Sequence, residues 1–218
     1  MSAEAVQTRF LRALEGADLR SRPYRHWLLQ EALPDSTGAA VAELPIAAAP
    51  IGDTRGRRET HNSVREFFSP DRRRRLAVCD DVARAFQDPA TVAAVEAACG
   101  AQLQGSYLRI EYCQDMDGFW LEPHTDIGAK RFTLLIYLSD GPQTAGWGTD
   151  VYDGARRPVA RAPFGFSRGL AFVPGSDTWH GFEPRPLHGV RKSLIINYVG
   201  DEWRARHELA FPDQPVGP

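Results

Sequence analysis

Two periods divide the chain. From residue 103 onward, apolar positions recur at every second residue, and Leu108, Ile110 and Tyr112 alternate with Arg109, Glu111 and Cys113. Successive side chains of an extended strand point to opposite faces, so this pattern belongs to a strand with one apolar face. Residues 133–138 form a compact β-branched and aromatic run, 169–173 a short apolar run, and 193–199 another. Turn signals lie between them at Asp117-Gly118, Asp140-Gly141-Pro142, Asp153-Gly154 and Pro174-Gly175. Short strands at this spacing predict an all-β sandwich or jelly roll. Residues 1–102 read differently. The pattern predicts a short helix at 8–14, a strand at Trp27-Leu28-Leu29 and a helix near 37–43 opened by Pro34-Asp35-Ser36. Residues 46–60 read as loop. Val82, Ala85, Phe86, Val92, Val95 and Ala98 recur at helical spacing over 81–98, with a break at Asp88-Pro89.

The expectation is a single domain over 1–218. It has a helical and mixed N-terminal part at 1–102, a β core at 103–200 and a C-terminal tail at 201–218. Composition adds little that is special. Hydrophobic residues make up 43% and charged residues 25% of 218 residues, and a net charge of -2 gives no general attraction to nucleic acid or membrane. Arg72 to Arg75 is a run of four arginines, which reads as a solvated helix face. No apolar run approaches the roughly 20 residues of a membrane span, and the N-terminus lacks the pattern of a secretory signal. Cys79, Cys99 and Cys113 are too widely spaced for a disulfide framework and read as free thiols of a reducing cytoplasm.

The candidate chemistry lies at His124-Thr125-Asp126. In an extended segment residues i and i+2 point the same way, so imidazole and carboxylate converge on one point. Such a tripeptide occurs in many proteins and needs a third ligand. His180, in Asp177-Thr178-Trp179-His180-Gly181, follows the strand that stops at Pro174-Gly175 and could return beside it. Two histidines and one carboxylate on one face of an iron ion leave the opposite face open. Arg191-Lys192-Ser193 follows, with Arg191 and Ser193 on one face of a strand. A guanidinium there can grip a carboxylate through two hydrogen bonds, and the hydroxyl can add a third. Of the other histidines, His61 is the candidate for substrate contact, while His26, His188 and His207 read as ordinary surface or core residues.

These pieces, in this order, resemble the 2-oxoglutarate/Fe(II) dioxygenase superfamily and its prolyl-hydroxylase-like branch. The resemblance is carried by Tyr112, Asp117-Gly118-Phe119, His124-Thr125-Asp126, Lys130-Arg131-Phe132-Thr133 and Tyr137-Leu138. It continues through Gly148-Thr149, Gly169-Leu170-Ala171-Phe172, His180 and Arg191-x-Ser193, across about 103–200. It implies a mainly β fold with flanking helices, a cupin-like double-stranded β-helix. It implies Fe(II) on His124, Asp126 and His180, with 2-oxoglutarate and O₂ as cosubstrates and ascorbate as an optional addition. Arg191, Ser193, Tyr112 and Thr133 become the expected cosubstrate contacts. The reaction it implies is hydroxylation of an aliphatic C–H with release of succinate and CO₂; related halogenases lack the carboxylate that Asp126 supplies, so its presence argues for hydroxylation, desaturation or ring chemistry over halogenation. Arg109, Trp120, Lys130, Arg131, Trp147, Arg168 and Trp179 are the candidate groups around the pocket mouth, and their cations suit a small anionic or amino-acid-like molecule. Two alternatives stand beside this reading: another cupin-type metalloenzyme, or a non-catalytic jelly-roll binding protein. Neither nucleic acid nor membrane is expected as a partner, and the oligomeric state is not legible in the chain.

Overall fold

The computed structural model describes residues 2–48 and 65–217. In chain order the elements are α1 (Ala3–Glu15), β1 (Asp18–Arg20), β2 (His26–Leu29), α2 (Asp35–Ala42), β3 (Arg65–Phe67), α3 (Pro70–Arg75), α4 (Ala77–Gln87) and α5 (Pro89–Cys99). Then follow β4 (Tyr107–Asp115), β5 (Leu121–His124), β6 (Lys130–Tyr137), β7 (Asp150–Tyr152), β8 (Pro158–Arg161), β9 (Gly169–Phe172), β10 (His180–Phe182) and β11 (Arg191–Val199).

The two long alternating segments lie at the centre of a large antiparallel sheet. Its order is β1-β2-β9-β6-β11-β4-β3, and a smaller sheet, β5-β10-β7-β8, carries the remaining strands. The chain is thus mainly antiparallel β with flanking helices, the double-stranded β-helix expected. β11 pairs along its whole length with β4, from Arg191↔Asp115 to Val199↔Tyr107, and on its other edge with β6. This register sorts side chains cleanly. Leu108, Ile110, Tyr112, Leu134, Ile136, Leu194, Ile196 and Tyr198 join one buried apolar cluster together with Val6, Phe10, Val82, Phe86, Val92 and Val95 from the helices. Fully burying one such side chain is worth about 1.5–3 kcal/mol. The intervening residues of the same strands face the smaller sheet. There, Cys113, Leu135, Tyr137 and Ile195 meet Phe119, Trp147, Val151, Phe164 and Phe182.

The helices begin and end where local chemistry dictates. Ser2 caps α1 by accepting from the Ala5 amide. Asp88 ends α4 and caps α5 by accepting from the Ala90 amide at 2.8 Å, with Pro89 at the first helical position. Gly100 closes α5 at φ 73°, a conformation that costs glycine little. The break expected at Asp88-Pro89 is therefore a boundary between two helices. The arginine run forms α3, and its side chains pair with Glu66, Asp71 and Asp80.

The short strands β1, β3, β5, β7, β8 and β10 are too brief to show a period, and the N-terminal half supplies β1, β2 and β3 to the large sheet. The C-terminal tail joins the core, where Leu209 bridges to Arg109 of β4. Cys79, Cys99 and Cys113 are all buried free thiols. Among the described residues no helix is long and apolar enough to cross a membrane.

Candidate metal centre

β5 and β10 bring the two histidines together. His124 and His180 are direct partners across this antiparallel pair, and their ring centroids lie 4.3 Å apart. The approach is close. A Cβ on Gly181 would stand 2.7 Å from the Leu121 carbonyl oxygen, so the residue after His180 has no room for a side chain. Asp126 follows β5 in the turn to β6. Each of the three residues offers one ligand atom, and those atoms all lie within 4.8 Å of one another.

The ring nitrogens are already assigned by their neighbours. The Nδ1 of His124 is 2.9 Å from the Glu122 carbonyl, and that of His180 is 2.9 Å from the Thr178 carbonyl. A carbonyl can only accept, so in both neutral rings Nδ1 carries the hydrogen and Nε2 keeps its lone pair for a metal. Burial pushes the His180 imidazole down to about 4, with Asp126 pulling the other way and His124 and Lys130 adding to the shift. At neutral pH the His180 imidazole is therefore neutral. Phe172 packs against it at 4.8 Å between centroids and fixes its plane.

Asp126 is held from two sides. Lys130 Nζ donates to Oδ1 at 2.5 Å, and the Thr133 hydroxyl donates to Oδ2 at 2.6 Å. Burial opposes ionisation, but the Lys130 ammonium, His180 and these hydrogen bonds outweigh it and hold the carboxyl well below the usual carboxylate range. The donor set is two imidazoles and one carboxylate, which fits a divalent first-row metal with open coordination positions.

The cavity that contains these three residues is also lined by Lys130, Thr133, Thr149 and Arg191. Arg191 is buried. Its Nε donates to the Trp147 carbonyl at 2.7 Å, its Nη1 pairs with Asp115 at 2.5 Å, and the Phe182 ring lies 4.8 Å away. Ser193 is fully buried beside it on β11, and its hydroxyl has no partner among the described residues. A buried hydroxyl without a partner is costly and points to a polar group that belongs there.

The sequence-based assignments fare unequally in space. His124, Asp126, His180, Thr133 and Arg191 all line one cavity. Thr133 does so as a donor to Asp126, a role the sequence did not suggest. Tyr112 requires correction as a cosubstrate contact. It lies on the helix-facing side of β4, in the cluster with Leu108 and Ile110, and its hydroxyl donates to the Ala42 carbonyl at 3.3 Å. Arg109 is not at the pocket mouth but buried at 2% exposure in ion pairs with Glu111 and Glu208. Trp147 is core, packed edge-on against Phe164. Arg131 pairs with Glu202 on the surface, Trp179 lies under Arg156, and Arg168 is exposed. His61 lies outside the described residues. Lys130, a candidate for the pocket mouth, lines the cavity beside Asp126, whereas Asp115, which pairs with Arg191, and Tyr137 were not singled out by the sequence. Tyr137 stacks against Phe164 with its hydroxyl on Thr149 at 2.9 Å, one strand away from Ser193. Its place on the face of Thr133 and Leu135 was available from the period of two.

No protein-family model matches the sequence, and no curated protein matches it. Solved structures do share the fold. A prolyl 4-hydroxylase from Phytophthora capsici superposes with a TM-score of 0.60 at 15% identity, over 93% of this chain and 66% of that one, so this chain spans just under two thirds of its length. A prolyl hydroxylase from Trichoplax adhaerens, solved with a peptide fragment of the hypoxia inducible factor oxygen degradation domain, gives 0.58 at 14% identity over 92% and 91%. The non-heme alpha-ketoglutarate-dependent epimerase SnoN from nogalamycin biosynthesis gives 0.53 at 14% identity over 90% and 83%.

Proposed function

We propose that this protein is a non-haem Fe(II) and 2-oxoglutarate-dependent dioxygenase that hydroxylates an aliphatic C–H of a small, anionic or amino-acid-like substrate. The observation that carries the reading is the convergence of His124, Asp126 and His180 within 4.8 Å in a cavity that also contains the buried Arg191. The shared fold supports it, as do the hydroxylases and the alpha-ketoglutarate-dependent epimerase that have that fold.

Bound iron with 2-oxoglutarate and O₂ would supply oxidative decarboxylation to succinate and CO₂ together with the hydroxylation. The chain's own part is positional. His124 and His180 present Nε2 because Nδ1 is committed to a carbonyl. Asp126 adds a single negative charge, which leaves net positive charge for an anionic cosubstrate. Arg191, prealigned by Asp115 and the Trp147 carbonyl, offers a fixed cation to the distal carboxylate, and Ser193 offers a hydroxyl that lacks a partner. The apolar lining from Phe119, Leu121, Leu135 and Ile195 keeps water from the reacting atoms. Arg65 and Lys130 also line the cavity, each paired with a carboxylate of the same lining, Glu111 and Asp126.

The test is succinate formation from 2-oxoglutarate by the purified protein. It should require added Fe(II), disappear in His180→Ala and rise when the correct small acid is supplied. Protein that binds Fe(II) but forms no succinate under any of these conditions would sink the assignment.

A further inference from the structure

A chain of buried hydrogen bonds runs away from Asp126 into the large sheet, and its direction is fixed. Arg109 Nη1 donates to Asn197 Oδ1 at 3.2 Å. Asn197 Nδ2 donates to Thr133 Oγ1 at 2.9 Å, and Thr133 donates to Asp126 Oδ2 at 2.6 Å. Arg109, Asn197 and Thr133 are 2%, 0% and 2% exposed, so water does not compete. A guanidinium can only donate, so Asn197 must turn its oxygen to Arg109 and its NH₂ to Thr133. Thr133 then accepts, and its one hydrogen is left for Asp126. The opposite polarity is not available while Arg109 stays in place.

Arg109 is held firmly. Its Nε pairs with Glu208 at 2.6 Å and its Nη1 with Glu111 at 2.8 Å. The rings of Phe67 and Trp203 lie 4.7 and 5.0 Å from its guanidinium. Glu208 and Trp203 belong to the segment after β11, and Leu209 bridges to Arg109 itself. The C-terminal segment therefore clamps the far end of the relay.

We propose that Asn197 and Arg109 are positioning residues that act through Thr133. By committing Asp126 Oδ2 to a hydrogen bond while Lys130 holds Oδ1, they fix the orientation of the carboxylate within the His124, Asp126 and His180 set, on which metal and 2-oxoglutarate binding would depend. The inference rests on the oxygenase reading of the site and extends its support to the C-terminal segment.

Asn197→Asp tests it in the full-length protein. The carboxylate is isosteric and still accepts from Arg109, but it cannot donate. Thr133 turns its hydrogen toward residue 197, and Asp126 Oδ2 loses its donor. With Co(II) alone as the probe, this variant should bind the metal with a visible spectrum different from wild type. Its Co(II)-loaded form should bind 2-oxoglutarate about tenfold more weakly, the scale of lost support for a metal ligand. Thr133→Val should give the same two changes, and the double variant should be no worse than either single one. A wild-type spectrum and 2-oxoglutarate affinity in Asn197→Asp would overturn the relay, as would single effects that multiply in the double variant. If Asn197→Asp does not fold, Thr133→Val carries the same expectation, because it removes the donor to Asp126 Oδ2 directly. Wild-type protein that binds no Co(II), or His180→Ala protein that binds it normally, would instead remove the oxygenase reading, and the relay with it.

Discussion

The two faces of β4, β6 and β11 are made by the same strands, one residue apart, and they do different work. On the helix side, Leu108, Ile110, Leu134, Ile136, Leu194 and Ile196 are fully buried against helices. On the other side, Arg109, Glu111, Asp115, Thr133, Arg191, Ser193 and Asn197 are nearly as buried but polar or charged, and all but Ser193 are hydrogen-bonded or ion-paired with one another or with their neighbours. A one-residue register slip would exchange the faces, placing charges against the helices and leucines at the metal site. Stability and chemistry are thus separated by the alternation of the strand alone. The separation predicts that substitutions on one face should leave the other face's property intact.

The largest effect should come from the chemical face. His180→Ala should abolish metal binding and turnover while the metal-free protein keeps its fold, as checked by metal titration beside circular dichroism. Wild-type metal affinity in that variant would break the separation. Next, Ile196→Ala on the helix face should cost about 2–5 kcal/mol in denaturant unfolding. The fraction that stays folded should keep wild-type affinity for Co(II). Arg191→Lys keeps the charge but loses the planar fork, so it should raise the KM for 2-oxoglutarate about tenfold, more than it lowers kcat. An unchanged KM would remove Arg191 from carboxylate binding. The smallest effect sharpens the comparison most. Tyr112→Phe should cost about 0.5–1.5 kcal/mol through its lost hydrogen bond to Ala42 and leave the KM for 2-oxoglutarate unmoved.

Tyr112 also shows what the sequence could carry. The period of two placed it with Leu108 and Ile110, whereas the family resemblance placed it at the cosubstrate; the period was the better guide because facing is fixed by the pleat. The same rule identified Arg191 and Ser193 as neighbours on one face. The long strands, the helical pair interrupted at Pro89 and the convergence of His124 with Asp126 were legible because each depends on local spacing. His180 could be singled out, but its pairing opposite His124 depends on β5 and β10, which have four and three residues and no readable period. Asn197 and Arg109 were invisible as a unit. They are 88 positions apart and meet only through the register of β4 with β11. Nothing local distinguishes Lys130 as the partner of Asp126 from its neighbour Arg131, which points to solvent and pairs with Glu202.

The register of His124 opposite His180 has a mechanical consequence. Both imidazoles belong to the smaller sheet, while Asp126 is tied through Thr133 to the larger one. An ion seated among them would act as a rivet between the two layers at the open end of the barrel. Loading it should slow amide hydrogen exchange along β5, β6 and β10 together, and leave the helical layer behind the large sheet exchanging at its former rate.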